Sequence, residues 1–158
     1  MKILYLRDSE ELYSHSNGLC YATEASAGLD LRACWELDQQ AGQPDSITIA
    51  AGARHAIPTG ICMEIMQAGI AGFVYSRSGL GAKHGLTMAQ GVGVIDADYR
   101  GELIVWLLNT SNEERTVHRG DRIAQLVLQP VYHACVEAVD SLSDTARGAG
   151  GFGHTGKV

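Results

Sequence analysis

Short apolar runs recur along this chain at spacings of about 8–12 residues, and Gly, Pro, Asp or Ser breaks nearly every one. Residues 2–6 (KILYL) predict a first strand, and the polar stretch 7–18 predicts a loop. Leu29, Leu31 and Ala33 alternate with Asp30 and Arg32, the period of a half-buried strand. Turn residues fill 38–46. SITIA follows, then a break marked by Pro58 and Gly60, then strands at 61–66 and 72–76. After Arg77, the segment SGLGAKHG predicts one short helical turn with Ser78 as N-cap, and its three glycines oppose anything longer. Residues 91–101, GVGVIDADYRG, predict a hairpin: Val92, Val94 and Ile95 enter a polar corner at Asp96 and Asp98, and Tyr99 leads to a returning strand. LIVWLL at 103–108 is apolar at every position, which implies burial on both faces. One face would meet the domain core and the other a second subunit; a central strand of a barrel is the alternative. Residues 109–121 read as a polar hairpin region, 122–130 as an alternating strand and 131–139 as a last strand.

About ten strands and almost no 3.6-residue periodicity predict an all-β fold, a sandwich or jelly-roll-like barrel. No repeat or linker divides the chain, so 1–158 is read as a single domain, with 1–146 as the barrel and 147–158 as a mobile arm. Residues 147–156 hold five glycines together with Arg147, Phe152, His154 and Thr155. Glycine loses the most freedom on ordering, so this stretch cannot build a core. A segment that orders onto a ligand needs such donors and such a ring. A frayed chain end is the plainer reading.

Composition narrows the partners. Hydrophobic residues make up 46% of the chain but aromatics only 6%, so the core must be aliphatic. The net charge of −6 argues against stable nucleic-acid or membrane binding by a general positive field. Four scattered cysteines, Cys20, Cys34, Cys62 and Cys135, read as reduced thiols in a cytoplasmic protein. The first residues do not read as a signal peptide, and no apolar run has the length of a membrane helix.

Arg77-Ser78-Gly79 offers a guanidinium fork, a hydroxyl and bare backbone at the start of a possible helical turn, which suits phosphate oxygens. Asp96 has the chemistry of a general base. Asp98, two residues on, points elsewhere in strand geometry or caps the turn. Gln125 lies on an apolar strand and needs a partner for its amide if buried. The six histidines form no zinc pattern, and neither a nucleophile elbow nor a P-loop is present.

Five segments in order, ASAGLDLRA (25–33), RSGLGAKHG (77–85), GVGVIDADYRGEL (91–103), RGDRIAQLVL (119–128) and RGAGGFGHTG (147–156), closely resemble the motifs of the trimeric dUTP pyrophosphatase (dUTPase) family. The resemblance implies a homotrimer of jelly-roll-like subunits with shared sites that hydrolyses dUTP to dUMP and pyrophosphate. It implies that Asp96 activates the attacking water and that Tyr99 packs under the deoxyribose. Val94 and Ile95 would read uracil through their backbone, with Gln90 nearby and Ile104 lining the pocket. Arg77, Ser78, Gly79 and Gln125 would hold phosphate oxygens. Asp30 would orient waters on a Mg²⁺ carried chiefly by the phosphates, with no direct protein ligand. Phe152 would stack over the base, while Arg147, His154 and Thr155, with Gly153 between, would engage the outer phosphates. Three positions depart from the usual pattern. Ser76 stands where proline is usual, Gln90 where asparagine is frequent, and His154 where many members have serine. The related dCTP deaminases use a glutamate where this chain has Trp106, which argues against deamination. A binding protein without catalysis is the remaining alternative.

Overall fold

The computed structural model describes residues 1–7, 9–14, 18–36 and 45–151. Among these residues the alternating segments form ten strands and two short helices. β1 (Lys2–Tyr5), β4 (Arg54–Glu64), β8 (Glu102–Asn109) and β6 (Leu86–Met88) make one sheet in the order β1-β4-β8-β6. β2 (Leu29–Arg32), β10 (Arg122–Pro130), β5 (Ile70–Ser76) and β7 (Gly93–Ile95) make a second, in the order β2-β10-β5-β7. β3 (Ser46–Ile49) pairs with β9 (Arg115–His118). Every pairing in these sheets is antiparallel. The expectation of an all-β fold holds.

Both large sheets feed one continuous aliphatic core. Leu31, Val74 and Leu126 come from the second sheet, and Ile57, Ile61, Val105 and Leu107 from the first. Fully burying one such side chain contributes about 1.5–3 kcal/mol. That term suffices to set the register of β2, whose alternation places Leu29 and Leu31 inside and Asp30 and Arg32 at the surface.

Several local expectations change. The polar stretch 7–18 is not all loop, because α1 (Ser9–Ser14) forms there. Its polar residues conceal one anchor: Tyr13 is buried, donates to the Thr59 carbonyl at 3.2 Å and accepts from the Arg32 amide at 2.8 Å. Burial pushes its phenol well above the ordinary pKa. Pro58 and Gly60 do not end a strand. β4 runs through them with a register shift between Pro58 and Cys62. A bulge tolerates proline because it needs no ladder donor there. The Pro58 carbonyl still accepts from Cys34 N at 2.8 Å. α2 (Ser78–His84) starts one residue earlier than expected, with Arg77 as its N-cap and Ser78 already inside the helix. Gly85, at φ 71°, ends it in the left-handed conformation that glycine tolerates.

The polar corner and β8 bear on function. GVGVIDADYRG is not a paired hairpin: β7 pairs with β5, and β8 pairs with β4 and β6. The polar corner therefore carries the chain from one sheet to the other. The full apolar run in β8 does not bury both faces within the chain. Leu103, Val105 and Leu107 are in the core, while Ile104 and Trp106 remain 39% and 46% exposed. The strand expected at 131–139 does not form; those residues have no regular structure and are largely exposed. Tyr132, Val136 and Leu142 stand out in solvent. Among the described residues, no helix is long and apolar enough to cross a membrane.

Candidate active site

The candidate residues fall into two groups, each held by a different end of β5. The first group forms where β5 runs into α2. Arg77 sits at that junction, and its Nε donates to Asp30 Oδ1 at 2.9 Å. Arg122, at the start of β10, donates to the other Asp30 oxygen at 3.1 Å. Asp30 thus orients two arginines, and an Nη of Arg77 also reaches the Arg122 carbonyl at 3.2 Å. Gln125 donates to the Ser76 carbonyl at 3.0 Å. Its amide oxygen turns toward Gly28, where an added Cβ would sit 2.9 Å away, so glycine is needed to leave that side chain room. Asp30, Arg77, Ser78, Gly79 and Gln125 line one cavity of about 260 Å³. A side chain at Gly79 would meet nothing within 4 Å, so packing does not explain the glycine, and the backbone there is open to approach.

The second group surrounds the corner after β7. Gly93 and Gly72 let β7 and β5 close together: a Cβ on Gly93 would lie 3.3 Å from Val74, and one on Gly72 would lie 3.2 Å from Ile95. The turn closes when Tyr99 N donates to the Asp96 carbonyl at 3.1 Å. The Tyr99 hydroxyl donates to the Glu102 carbonyl at 2.9 Å. This folds the ring over Gly101, where any Cβ would overlap the phenolic oxygen. Val94, Ile95, Asp96, Tyr99, Glu102 and Ile104 line a cavity of about 190 Å³. Asp96 is exposed at this corner. Asp98 is also exposed and is absent from that cavity; it lines a neighbouring hollow with Ala71 and His133, which Asp96 borders as well.

Other expected site residues stand apart from these groups. Gln90 is exposed in the turn before β7 and lines neither cavity. Arg147 is exposed and donates to the nearby Gly150 carbonyl at 2.8 Å. Phe152, Gly153, His154 and Thr155 lie outside the described residues. The sequence does not single out Gly28, Glu102 or Arg122. Glycine, glutamate and arginine carry no signal of their own there; only the strand pairings bring them to the site.

The donor chemistry can be tested against a divalent cation. Both oxygens of Asp30 already accept from arginines, so the carboxylate suits bound water better than a bare ion. Among the described residues, no group of three or more His, Cys, Asp or Glu could hold a metal.

This two-sheet architecture is that of an all-β class of enzymes known from solved dUTPases. The crystal structure of dUTPase from Streptococcus mutans matches with TM-score 0.70 and 25% identity, covering 86% of this chain and 100% of that one. A mutant dUTPase of Staphylococcus bacteriophage 80alpha with dUpNHpp shares the fold at TM-score 0.78 and 21% identity, covering 98% and 97% of the two chains. In sequence, the deoxyuridine 5'-triphosphate nucleotidohydrolase of Desulfitobacterium hafniense (strain DSM 10664 / DCB-2) is 48% identical over 136 residues, 86% of this chain and 85% of the relative. That of Idiomarina loihiensis is 50% identical over 137 residues, 87% and 85% of the two. The sequence pattern of the dUTPase family matches residues 15–156, and the chain belongs to that family.

Proposed function

We propose that this enzyme hydrolyses dUTP, taken as its magnesium complex, to dUMP and pyrophosphate. Asp96 accepts a proton from water as the water oxygen bonds to the α-phosphorus. The bond from that phosphorus to the bridging oxygen breaks in line, and pyrophosphate leaves. A magnesium ion carried on the triphosphate would supply charge neutralisation, and Asp30 would orient its waters. Arg77, Ser78, Gly79 and Gln125 hold phosphate oxygens, with Arg147, Gly153, His154 and Thr155 gripping the outer phosphates. Val94 and Ile95 read uracil through their backbone, Tyr99 packs under the deoxyribose beside Ile104, and Phe152 covers the base. Catalysis then rests on positioning and on fixed donors rather than on a covalent intermediate. The reaction would limit uracil in DNA and supply dUMP for thymidylate synthesis.

The observation that carries this reading is the sorting of the family-like segments into two cavities of different chemistry, one with Arg77, Ser78, Gly79 and Gln125 beside Asp30 and one with a carboxylate and a phenol. Strand geometry adds a consequence. Ile95 pairs with Gly72, and β7 runs antiparallel to β5, so Asp96 lies beside Ala71. Arg77 is six residues further along, about 20 Å away at about 3.3 Å per residue. The base and the phosphate clamp of one chain thus lie at opposite ends of β5, a separation that supports sites shared between subunits, as the family resemblance to a homotrimer implies. The exposed apolar face of β8, with Ile104 and Trp106, is suited to contact between copies. The test is direct. Purified protein with Mg²⁺ should release pyrophosphate from dUTP and no ammonia from dCTP. Absence of pyrophosphate would overturn the reading, and ammonia would replace it with deamination.

A further inference from the structure

We propose that Arg7 and Glu102 form a positioning pair that sets the Tyr99 phenol, and through it the enzyme's preference for a 2'-deoxyribose. The proposal rests on the reading of Tyr99 as the residue under the sugar and adds what holds it there.

Glu102 opens β8 and works from both its ends. Its main-chain oxygen accepts the Tyr99 hydroxyl at 2.9 Å. Its carboxylate accepts the Gly60 amide at 2.7 Å and pairs with the Arg7 guanidinium. That guanidinium also reaches the Cys34 carbonyl at 3.3 Å. Gly60 lies on the β4 bulge at φ 70°, and its carbonyl accepts from Leu6 N and Ser9 Oγ, each at 2.8 Å. The chain just after β1 therefore clamps the bulge, and the bulge clamps Glu102, whose main-chain oxygen holds the Tyr99 phenol.

Stability does not account for this arrangement. The two side chains are only 21% and 16% exposed, and taking a charge pair out of water offsets most of its attraction. Arg7 is the only non-glycine residue with positive φ, at 55°, among the described residues. Its buried Nε finds no hydrogen-bond partner among them. A strained backbone and an unsatisfied donor persist where the surroundings enforce a geometry, and such strain gathers at functional sites. Glu102 also lines the same cavity as Asp96 and Tyr99. Burial alone would pull the Arg7 guanidinium down, but the hydrogen bond and charge of Glu102 outweigh it and raise its pKa.

The experiment compares dUTP with UTP on the full chain. Wild type is expected to favour dUTP strongly. Glu102→Gln keeps the size of the side chain and an acceptor for Gly60, but loses the ion pair. It should lower the dUTP-to-UTP ratio of kcat/KM by about tenfold, chiefly through a higher KM for dUTP. Arg7→Lys, which keeps the charge but not the fork, should retain more of the ratio. Tyr99→Phe should lower the ratio similarly, and the Glu102→Gln/Tyr99→Phe double variant should be no worse than either single one. Calorimetry with dUMP and UMP should repeat the loss of discrimination without turnover. If wild type does not discriminate, the sugar-packing role of Tyr99 fails and the pair with it. If wild type discriminates and Glu102→Gln keeps the ratio while melting earlier, the pair is a brace and the proposal alone falls. Should Glu102→Gln not fold, Arg7→Lys carries the comparison; failure of both to fold also marks a brace.

Discussion

Arg77→Ala separates the structural from the chemical work of one residue. In the fold, Arg77 loses its 2.9 Å bond to Asp30 and its 3.2 Å bond to the Arg122 carbonyl. The ion-paired side chains are 28% and 24% exposed, and Asp30 keeps Arg122. A partly exposed pair with a surviving second partner is worth about 1 kcal/mol or less. For a chain of 158 residues that is a fall in Tm of about 2–4 °C. On the substrate, a guanidinium fork makes charge-assisted bonds worth about 1.5–3 kcal/mol. Their loss should reduce kcat/KM by about 10- to 150-fold. Chemistry therefore wins over stability by a margin that two simple assays can see. Pyrophosphate release from Mg-dUTP gives the first number, and a thermal melt gives the second. Arg77→Lys, a charge without a fork, should fall between wild type and Arg77→Ala in activity. If Arg77→Ala stays within about threefold of wild-type kcat/KM, against the range above, Arg77 does not hold phosphate.

Asp96→Asn should abolish turnover while calorimetry with a non-hydrolysable dUTP analogue still records near-native affinity; turnover in that variant would remove Asp96 as the base. Deleting 147–158 should cost far more in turnover than in Tm, since the described part of that segment is largely exposed and the Arg147 guanidinium donates to Gly150 within the same segment; an unchanged rate would make it a frayed end. Gly101→Ala must displace the phenol, because the new Cβ would overlap the Tyr99 ring and its oxygen. An exposed ring moves easily, so Tm should shift little while KM for dUTP rises several-fold, and an unchanged KM would contradict the placement of Tyr99. Cys34 and Cys62 are buried, and burial together with the Glu102 carboxylate raises the Cys62 thiol pKa. Both should resist alkylation at neutral pH until the protein unfolds, and rapid labelling of either in the native state would refute that.

Much of the fold was legible because alternation reports which face of a strand is buried. Leu29, Leu31 and Ala33 mark the core side of β2 by their spacing alone, and Asp30 and Arg77 are recognisable as site chemistry from their motifs. The misreadings share one cause. Propensity is local, whereas α1 depends on Tyr13 reaching Thr59, and β4 passes Pro58 and Gly60 because a bulge there is held from outside. Nothing in the run 131–139 distinguishes a strand with a partner from one without, and among the described residues it pairs with no strand.

The sequence by itself determined the chemical inventory: a carboxylate and a phenol at Asp96 and Tyr99, and a phosphate-type cluster at Arg77, Ser78, Gly79 and Gln125. Only the tertiary structure decided how these are grouped. Strand pairing places Asp96 and Arg77 at opposite ends of β5, sends the corner from one sheet to the other, and sets Glu102 between Tyr99 and Arg7. The physical reason is that a side chain's chemistry belongs to the residue, whereas its neighbours across a sheet are set by register between segments far apart in the chain.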